Sequence, residues 1–304
     1  MTSMSKNRTM FLVLASSLAT GAALAQDAPL TGTLKVGEVS LLRTSGKFPA
    51  GPLGNLDSTT DSFSAAFSVT DLSKVVRTEP RPFTTIGPRF VFPIVPTDPP
   101  ATGNNAVTYL DAGPALNLAG PNGMKSIPVA KLLYGAQLGG GLAFPGLPSP
   151  APLFLVPGTY TVDNGGGGAD VGPFTATLTL PEPFVWTNAD TVLPITRDAG
   201  ADITWTGGDP DTKVSIAGGV TVINSATRRV EGGAIFSCLE TNSAGHFVIP
   251  PEVLTLIPAS TTTAGVPNGS LIVTNGVQAK MDLPGFDQSL FVFTSGIVRS
   301  AEYK

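Results

Sequence analysis

Cysteine and histidine are almost missing from this chain of 304 residues, which contains one of each, Cys238 and His246. A disulfide within the chain needs two cysteines, so the sequence excludes a disulfide framework. A zinc site built from cysteine and histidine needs three or four such ligands and is excluded as well. A Ser-His-Asp triad would have to use His246, and no Gly-x-Ser-x-Gly motif is present to supply its nucleophile.

Charged residues are also scarce, at 13% of the chain with a formal net charge of −4. A mildly acidic protein lacks the basic surface that phosphate backbones require, so nucleic acid is excluded as a partner. Glycine and proline, in contrast, number 35 and 28, which argues against a helical bundle. The 42% of hydrophobic residues can still supply a folded core.

The N-terminal residues carry the pattern of an export signal. Lys6 and Arg8 precede an apolar run over residues 10–18, and Ala23-Leu24-Ala25 matches the small-x-small pattern that signal peptidase accepts. We therefore expect a signal peptide over residues 1–25, cleaved after Ala25, and a secreted or periplasmic mature protein. The alternative is an uncleaved N-terminal membrane anchor, for which the apolar run is short. No later apolar run is long enough to predict a helical membrane span in the mature chain.

Alternation of apolar and polar residues predicts β-strands along most of the mature chain. In residues 174–180, Phe174, Ala176, Leu178 and Leu180 alternate with threonines, which suits a strand with one buried and one solvated face. Segments 62–69, 202–206, 214–216, 290–293 and 297–303 are also expected to be strands. Short strands joined by glycine- and proline-rich turns indicate an all-β fold.

Local signals predict one hairpin and two short helices. Asn275-Gly276 lies between two apolar segments, and this dipeptide favours the positive φ angles of a tight hairpin turn. Residues 251–257 begin with a proline and are followed by another, so they are expected to form one or two helical turns. Residues 129–134 are also expected to form one or two helical turns, which Gly135 would end.

Pro181-Glu182-Pro183 resembles a stiff linker and suggests a division of the mature chain. Residues 184–304 contain enough strand candidates for an immunoglobulin-like β-sandwich. Residues 26–183 are expected to form a β-rich domain with longer loops. Two proline- and glycine-rich segments, 92–103 and 139–152, are expected to be surface loops, where binding sites are commonly found.

Cys238 and His246 are the first candidate site residues, because a nucleophilic cysteine would need a nearby base. The favoured interpretation is that Cys238 is buried, since it shares strand parity with Phe236 and a free cysteine often behaves as a small hydrophobic residue. In immunoglobulin domains a buried tryptophan packs against a disulfide. The second cysteine of such a disulfide is missing here, so Trp205 is expected to pack near the lone thiol of Cys238. His246 alternates with Phe247 and is expected to lie at the surface without a catalytic role.

Acidic residues beside glycines form the second set of candidates. Asp209 and Asp211 follow two glycines, and Asp163 and Asp170 flank the glycine run 165–168. Such carboxylates could serve a glycosidase or bind Ca²⁺, the one cofactor that the sequence suggests. Aspartate beside glycine is above all typical of turns, which is the favoured interpretation. Trp186 is a further candidate, because an exposed ring could stack on a sugar.

The C-terminal half carries several short motifs that together resemble a known group of proteins. They are PGTYTV at 157–162, GGGADVGPF at 166–174, ITWTGGDP at 203–210, FSC at 236–238 and GHFVIPPEVL at 245–254. These segments resemble exported β-rich proteins of acidobacterial type that carry no assigned function. The resemblance implies a secreted origin and a β-rich fold, but no activity, catalytic residue or cofactor.

The sequence therefore favours a non-catalytic secreted or periplasmic protein with a structural or binding role. Its partner would be an extracellular polymer or another protein. The first alternative is a protein that binds or cleaves carbohydrate, using Asp209, Asp211 and Trp186. The second is a hydrolase that uses Cys238 and His246.

Overall fold

The computed structural model describes residues 31–49, 54–75, 84–86, 89–94, 106–144, 146, 148–224, 227, 229–263 and 265–304. The predicted signal peptide, with its cleavage site at Ala25, lies outside these residues, as does most of the predicted loop 92–103. Within the described ranges, no helix combines the length and the apolar character that crossing a bilayer requires.

Strands make up most of the described chain. Those of the first half are β1 (Thr33–Pro49), β2 (Asn55–Asp71), β3 (Thr84–Thr85), β4 (Arg89–Pro93), β5 (Val107–Tyr109), β6 (Ala115–Gly120), β7 (Gly123–Ala130), β8 (Leu133–Leu142), β9 (Gly158–Asp163) and β10 (Thr175–Leu180). Those of the second half are β11 (Val185–Trp186), β12 (Ala201–Thr206), β13 (Lys213–Ile223), β14 (Val230–Thr241), β15 (His246–Ile249), β16 (Thr262–Thr263), β17 (Val266–Pro267), β18 (Gly269–Lys280) and β19 (Gln288–Ala301). Among the residues described, one short helix, α1 (Pro251–Leu254), accompanies 3-10 turns at Leu72–Lys74 and Asn242–Ala244.

A 14-stranded sheet organises the part of the chain that the structure describes. Its strand order is β10-β9-β6-β7-β8-β2-β1-β19-β18-β13-β14-β4-β3, with β5 paired to β2. β1 and β19 run parallel at its centre, so the first and last long strands of the chain lie side by side. A three-stranded sheet, β11-β12-β15, and a small hairpin, β16-β17, complete the described strands.

The predicted all-β class is confirmed, and the two-residue periodicity accounts for it. In β10 the residues Ala176, Leu178 and Leu180 are buried and the intervening threonines are exposed. In β12 the same alternation buries Ile203 and Trp205. The predicted helix that begins at residue 251 is present as α1, with proline in its first turn, where an N–H is not needed.

Two hydrophobic clusters share the large sheet. The first contains Phe67 of β2, Tyr160 of β9 and Phe291 of β19. The second contains Trp205 of β12 and Cys238 of β14. β18 and β19 contribute to both clusters, because each of these strands crosses from one cluster to the other. The predicted division of the chain between residues 183 and 184 stays a prediction.

The hairpin predicted at Asn275-Gly276 is wrong, because both residues lie inside the continuous strand β18. The Asn275 side chain donates from Nδ2 to Thr212 Oγ1 at 2.8 Å and to the Lys213 carbonyl at 3.1 Å. A Cβ atom at Gly276 would collide with the Phe293 carbonyl of the neighbouring strand. Asn275 therefore forms side-chain hydrogen bonds to a neighbouring segment, and Gly276 allows two strands to approach closely. Neither residue forms a turn.

The helix predicted over residues 129–134 is also wrong. The chain forms a hairpin there, in which β7 ends at Ala130 and β8 begins at Leu133. Lys131 and Leu132 have φ angles of 55° and 63°, values typical of a two-residue turn that matches strand twist. Neither residue is one of the usual Asn, Asp or Gly markers, so pairing of the strands overrides local preference.

Candidate functional site

A row of polar side chains crosses the large sheet between the two hydrophobic clusters. Asp61 of β2 pairs with Arg43 of β1, Arg43 pairs with Ser295 of β19, and Ser295 pairs with Asn275 of β18. Directly paired residues point to the same face of a sheet. The row therefore spans four strands, roughly 14 Å at ~4.8 Å per strand.

Asp61 and Arg43 form the ordered end of this row. Asp61 is fully buried, and its two carboxylate oxygens accept hydrogen bonds from Arg43 Nε and Nη2, both at 2.8 Å. Asp61 Oδ2 also accepts the backbone N–H groups of Phe154 and Leu155, both at 2.8 Å. Arg43 Nη2 donates in addition to the Leu155 carbonyl. The ion pair thus fastens the segment around Leu155 to the sheet.

A cleft opens over the rest of the row, with a volume of about 480 Å³ including the space open to solvent. Its floor is polar, formed by Arg43, Ser45, Asn275 and Ser295. Its walls are mostly apolar and come from three connecting segments and a core strand: Leu155, Val156, Pro157, Leu180, Pro181, Glu182, Pro183, Phe184, Gly208 and Phe293. The predicted linker around Glu182 is therefore one wall of the cleft, and we call this feature the junction cleft.

Three floor residues keep hydrogen-bonding atoms that are unused within the described chain. Arg43 Nη1 makes no hydrogen bond there, although the arginine side chain is only 18% exposed. Ser295 is 6% exposed and its hydroxyl has no described partner. Asn275 is 4% exposed, and its Nδ2 is bonded while its Oδ1 accepts no described hydrogen bond. None of these atoms is sealed from solvent, so they are available to water or to a ligand in the cleft.

The charges of the floor balance, because Asp61 neutralises Arg43. Glu182 is the one ionisable residue of the walls, and its side chain is exposed. The junction cleft therefore offers N–H donors at the Arg43 end, a hydroxyl in the middle and an oxygen acceptor at the Asn275 end. This arrangement can orient a neutral polar group between apolar walls.

Cys238 lies away from the cleft, fully buried in the second hydrophobic cluster as its strand parity predicts. Burial raises the pKa of its thiol to about 12, an effect only partly opposed by the charge of Arg89. The thiolate is the nucleophilic form of cysteine, so this residue is protonated and shielded at neutral pH.

Native protein is expected to resist thiol labelling by a maleimide at pH 8. Burial blocks access, and the raised pKa of Cys238 suppresses the thiolate. The measurement is mass spectrometry over time, with protein unfolded in guanidinium as the control that labels fully at the one cysteine. Stoichiometric labelling of the folded protein at the unfolded rate would contradict the inert-thiol interpretation.

His246 is exposed at the start of β15, with Nδ1 3.2 Å from Asp202 Oδ1. The next residue, Phe247, is buried, so the predicted alternation is confirmed. Cys238 is fully buried and the His246 side chain is 60% exposed, so the structure does not bring the two into one cleft.

Asp209 and Asp211 lie in a turn after β12. Asp209 Oδ1 accepts the Asp211 N–H at 3.0 Å, and the Asp209 carbonyl accepts from the Thr212 N–H at 3.1 Å. Across the glycine run, Asp163 Oδ1 accepts the Gly165 N–H at 2.9 Å. These are the short-range hydrogen bonds that aspartate typically forms in turns. Within the described ranges, no cluster of three or more His, Cys, Asp or Glu side chains is placed to hold a metal, and the calcium suggestion stays a prediction.

Trp186 is 4% exposed, and it pairs across β11 and β12 with the buried Trp205. Its Nε1 donates to Asn188 Oδ1 at 2.9 Å. Neither tryptophan therefore presents a ring face on which a sugar could stack. Among the tyrosines, Tyr109 is exposed, whereas Tyr134, Tyr160 and Tyr303 are buried.

Sequence reasoning missed the polar row completely. Arg43, Asp61, Ser295 and Asn275 are scattered over most of the chain length. Only Asn275 stands in a recognisable motif, and that motif predicted a hairpin turn rather than a binding site. One signal was available for Asp61. It precedes Phe63, Ala65 and Phe67 at the next position of the same parity, on the buried face of β2, where a carboxylate needs a partner.

Comparison with known proteins does not place the chain in a family. No family model matches the sequence, and no curated protein matches it. Among solved structures, the mu-homology domain of yeast delta-COP-I is 8% identical over 91% of this chain and 100% of that chain, with a TM-score of 0.21. The Fcho1 mu homology domain of Danio rerio, solved with a bound peptide, is 9% identical over 90% of this chain and 98% of that chain, with a TM-score of 0.19. Likenesses this weak carry no argument about function.

Proposed function

We propose that this protein is a non-catalytic, exported binding protein whose ligand occupies the junction cleft. One observation carries the proposal. Ser295 and Asn275 are buried and Arg43 is partly buried; all three line one cleft and keep hydrogen-bonding atoms that the described chain does not use. A binding site commonly combines apolar walls with a few polar groups that fix orientation.

The position of the cleft supports recognition by a preformed surface. Its floor lies on strands from the middle of the large sheet, and the Asp61 ion pair ties the segment around Leu155 to that sheet. Side chains on such strands lose little conformational freedom when a ligand binds, which favours affinity.

The two alternative functions receive less support. A Cys/His hydrolase would need Cys238 and His246 in one accessible cleft, whereas the first is buried and the second is exposed beside Asp202. A carbohydrate-binding site that uses Trp186 would need an exposed ring, and this ring is buried. The glycan alternative therefore rests on the junction cleft rather than on the residues that the sequence suggested.

The proposal includes export and an immunoglobulin-like arrangement of residues 184–304. Export rests on the predicted signal peptide with cleavage after Ala25. The sandwich arrangement is supported by the second hydrophobic cluster, which contains residues of β12 and β15 from the small sheet together with residues of β13, β14 and β18 from the large one. The partner would then be an extracellular polymer or protein.

The test is a binding screen of the mature protein against cell-wall glycans and short peptides, with hits measured by calorimetry. Ser295→Val replaces the unused hydroxyl with a methyl group and adds a second methyl. We expect it to weaken binding about fivefold, the equivalent of one hydrogen bond worth ~1 kcal/mol. Glu182→Arg reverses the charge of the wall and is expected to change the affinity for any ligand that is charged.

Glu252→Arg is the matched control, because it reverses an exposed glutamate in α1, outside the cleft. Its thermal unfolding and its affinity for each hit should equal those of the unaltered protein. The proposal fails if no probe binds, or if Ser295→Val and Glu182→Arg both bind every hit as tightly as Glu252→Arg does.

A further inference from the structure

A second cleft lies at the far end of the β1 and β19 pair. Lys47 and Arg299 are direct partners in the parallel register, four residues along from Arg43 and Ser295. At ~3.3 Å per residue, the two clefts are centred roughly 13 Å apart along the strands. Because strand side chains alternate with a period of two, Lys47 and Arg299 share the face that carries Arg43.

Both cations already contact one carboxylate of the protein. Lys47 Nζ lies 2.9 Å from Asp190 Oδ2, and Arg299 Nε lies 3.5 Å from Asp190 Oδ1. The hydrogen bond from Lys47, more than any other effect, lowers the pKa of Asp190, so the carboxylate is ionised at neutral pH. The pair of cations thus already holds a carboxylate in place.

The cations retain donors that Asp190 does not satisfy. Arg299 Nε is buried and makes no hydrogen bond in the described chain, although it lies 3.5 Å from Asp190 Oδ1 as an ion pair. Arg299 Nη1 donates to the Val298 carbonyl at 3.1 Å, and the guanidinium lies 6.0 Å from the Trp186 ring, so its position is set from two sides. Lys47 Nζ carries three N–H donors and uses one of them on Asp190.

The cleft between these residues has a volume of about 420 Å³ including the space open to solvent, and Asn55 and Leu193 also line it. Its lining carries two positive charges and one negative charge. Asp57 pairs with Lys47 in the β2 register, but it forms no ion pair with Lys47 and does not line the cleft. The Asp190 side chain is 61% exposed, whereas Lys47 and Arg299 are 31% and 17% exposed, so the carboxylate occupies the outer side.

We infer that this cleft binds a carboxylate group of an external ligand between Lys47 and Arg299. Asp190 is an internal competitor that occupies the same donors in the free protein. Arginine and lysine form strong charge-assisted hydrogen bonds to carboxylates, and a rigid guanidinium adds geometric selectivity. The site is separate from the junction cleft, and carboxylate binding here does not depend on whether that cleft binds a ligand.

The test uses glutarate as the probe and glutaramide as its neutral counterpart, titrated into the mature protein at low salt and followed by two-dimensional NMR. We expect saturable shifts at Lys47 and Arg299 with glutarate and none with glutaramide. Lys47→Gln should weaken glutarate binding roughly threefold to fivefold, since one charge-assisted contact is lost. Asp190→Asn should tighten it by a similar factor, because the competing carboxylate is gone.

The opposite signs of these two changes separate a binding site from a structural ion pair. Both variants break the Lys47–Asp190 contact, so loss of structure would affect them in the same direction. Lys280→Gln, at an exposed position of β18, is the matched control and should bind like the unaltered protein. The inference is overturned if glutarate causes no saturable shift in the unaltered protein. It is equally overturned if Asp190→Asn binds glutarate no more tightly, or if Lys47→Gln binds it as tightly as Lys280→Gln.

Discussion

Replacing Asp61 with alanine is expected to lower the free energy of unfolding by about 3–5 kcal/mol, the range for removing one partner of a buried ion pair. The change leaves the Arg43 guanidinium without its counterion, in a position only 18% exposed. It also removes the acceptor of the Phe154 and Leu155 N–H groups. The measurement is urea denaturation followed by fluorescence and circular dichroism.

Asp57→Ala is the matched control, because Asp57 is an exposed aspartate on the same strand. Its effect should stay within about 0.5 kcal/mol, as is usual for surface substitutions. A double variant, Arg43→Met with Asp61→Leu, should lose less stability than Asp61→Ala alone, because no unpaired charge stays buried. If Asp61→Ala unfolds at the same urea concentration as Asp57→Ala, the role assigned to the ion pair is wrong.

Replacing Phe67 with alanine is expected to cost about 3–5 kcal/mol, the usual range for truncating a buried phenylalanine. Phe67 is fully buried in the first hydrophobic cluster. Its ring centroid lies 5.6 Å from that of Phe174, 6.2 Å from that of Phe286 and 6.3 Å from that of Tyr134. Truncation removes all three ring contacts and leaves a cavity between segments that are distant in the chain.

Phe144→Ala is the control for this change, since Phe144 is 41% exposed and lies outside both clusters. Its unfolding free energy should change by less than about 1 kcal/mol. Equilibrium unfolding in guanidinium compares the two variants at matched protein concentration. A loss for Phe67→Ala as small as that for Phe144→Ala would show that the first cluster is not a cooperative core.

The sequence predicted those features that depend on neighbouring residues. Alternation over residues 174–180 predicted the strand and its buried face, and the same parity argument placed Cys238 in a core. Proline at residue 251 predicted the start of the short helix. Period two and the fixed φ of proline are local properties, so a short window of sequence is enough to detect them.

Sequence signals for turns were less reliable, because strand pairing in the folded protein decides whether a segment turns or continues a strand. Asn275-Gly276 has the residues of a hairpin turn, yet it continues β18 because Asn275 bonds to the Lys213 segment and Gly276 allows close approach to β19. Lys131 and Leu132 have no turn signature, yet they form the turn between β7 and β8. Tertiary pairing outweighed local preference in both places.

The sequence by itself determined that the chain is built mainly from strands and, in segments such as 174–180 and 202–206, which residues face inward. Only the tertiary structure decided that the first and last long strands lie side by side, which brings Arg43 next to Ser295 and Lys47 next to Arg299. The physical reason is that side-chain alternation depends on adjacent residues, whereas strand order depends on packing between residues more than 200 positions apart. Both candidate clefts arise from that pairing, so no local motif could have revealed them.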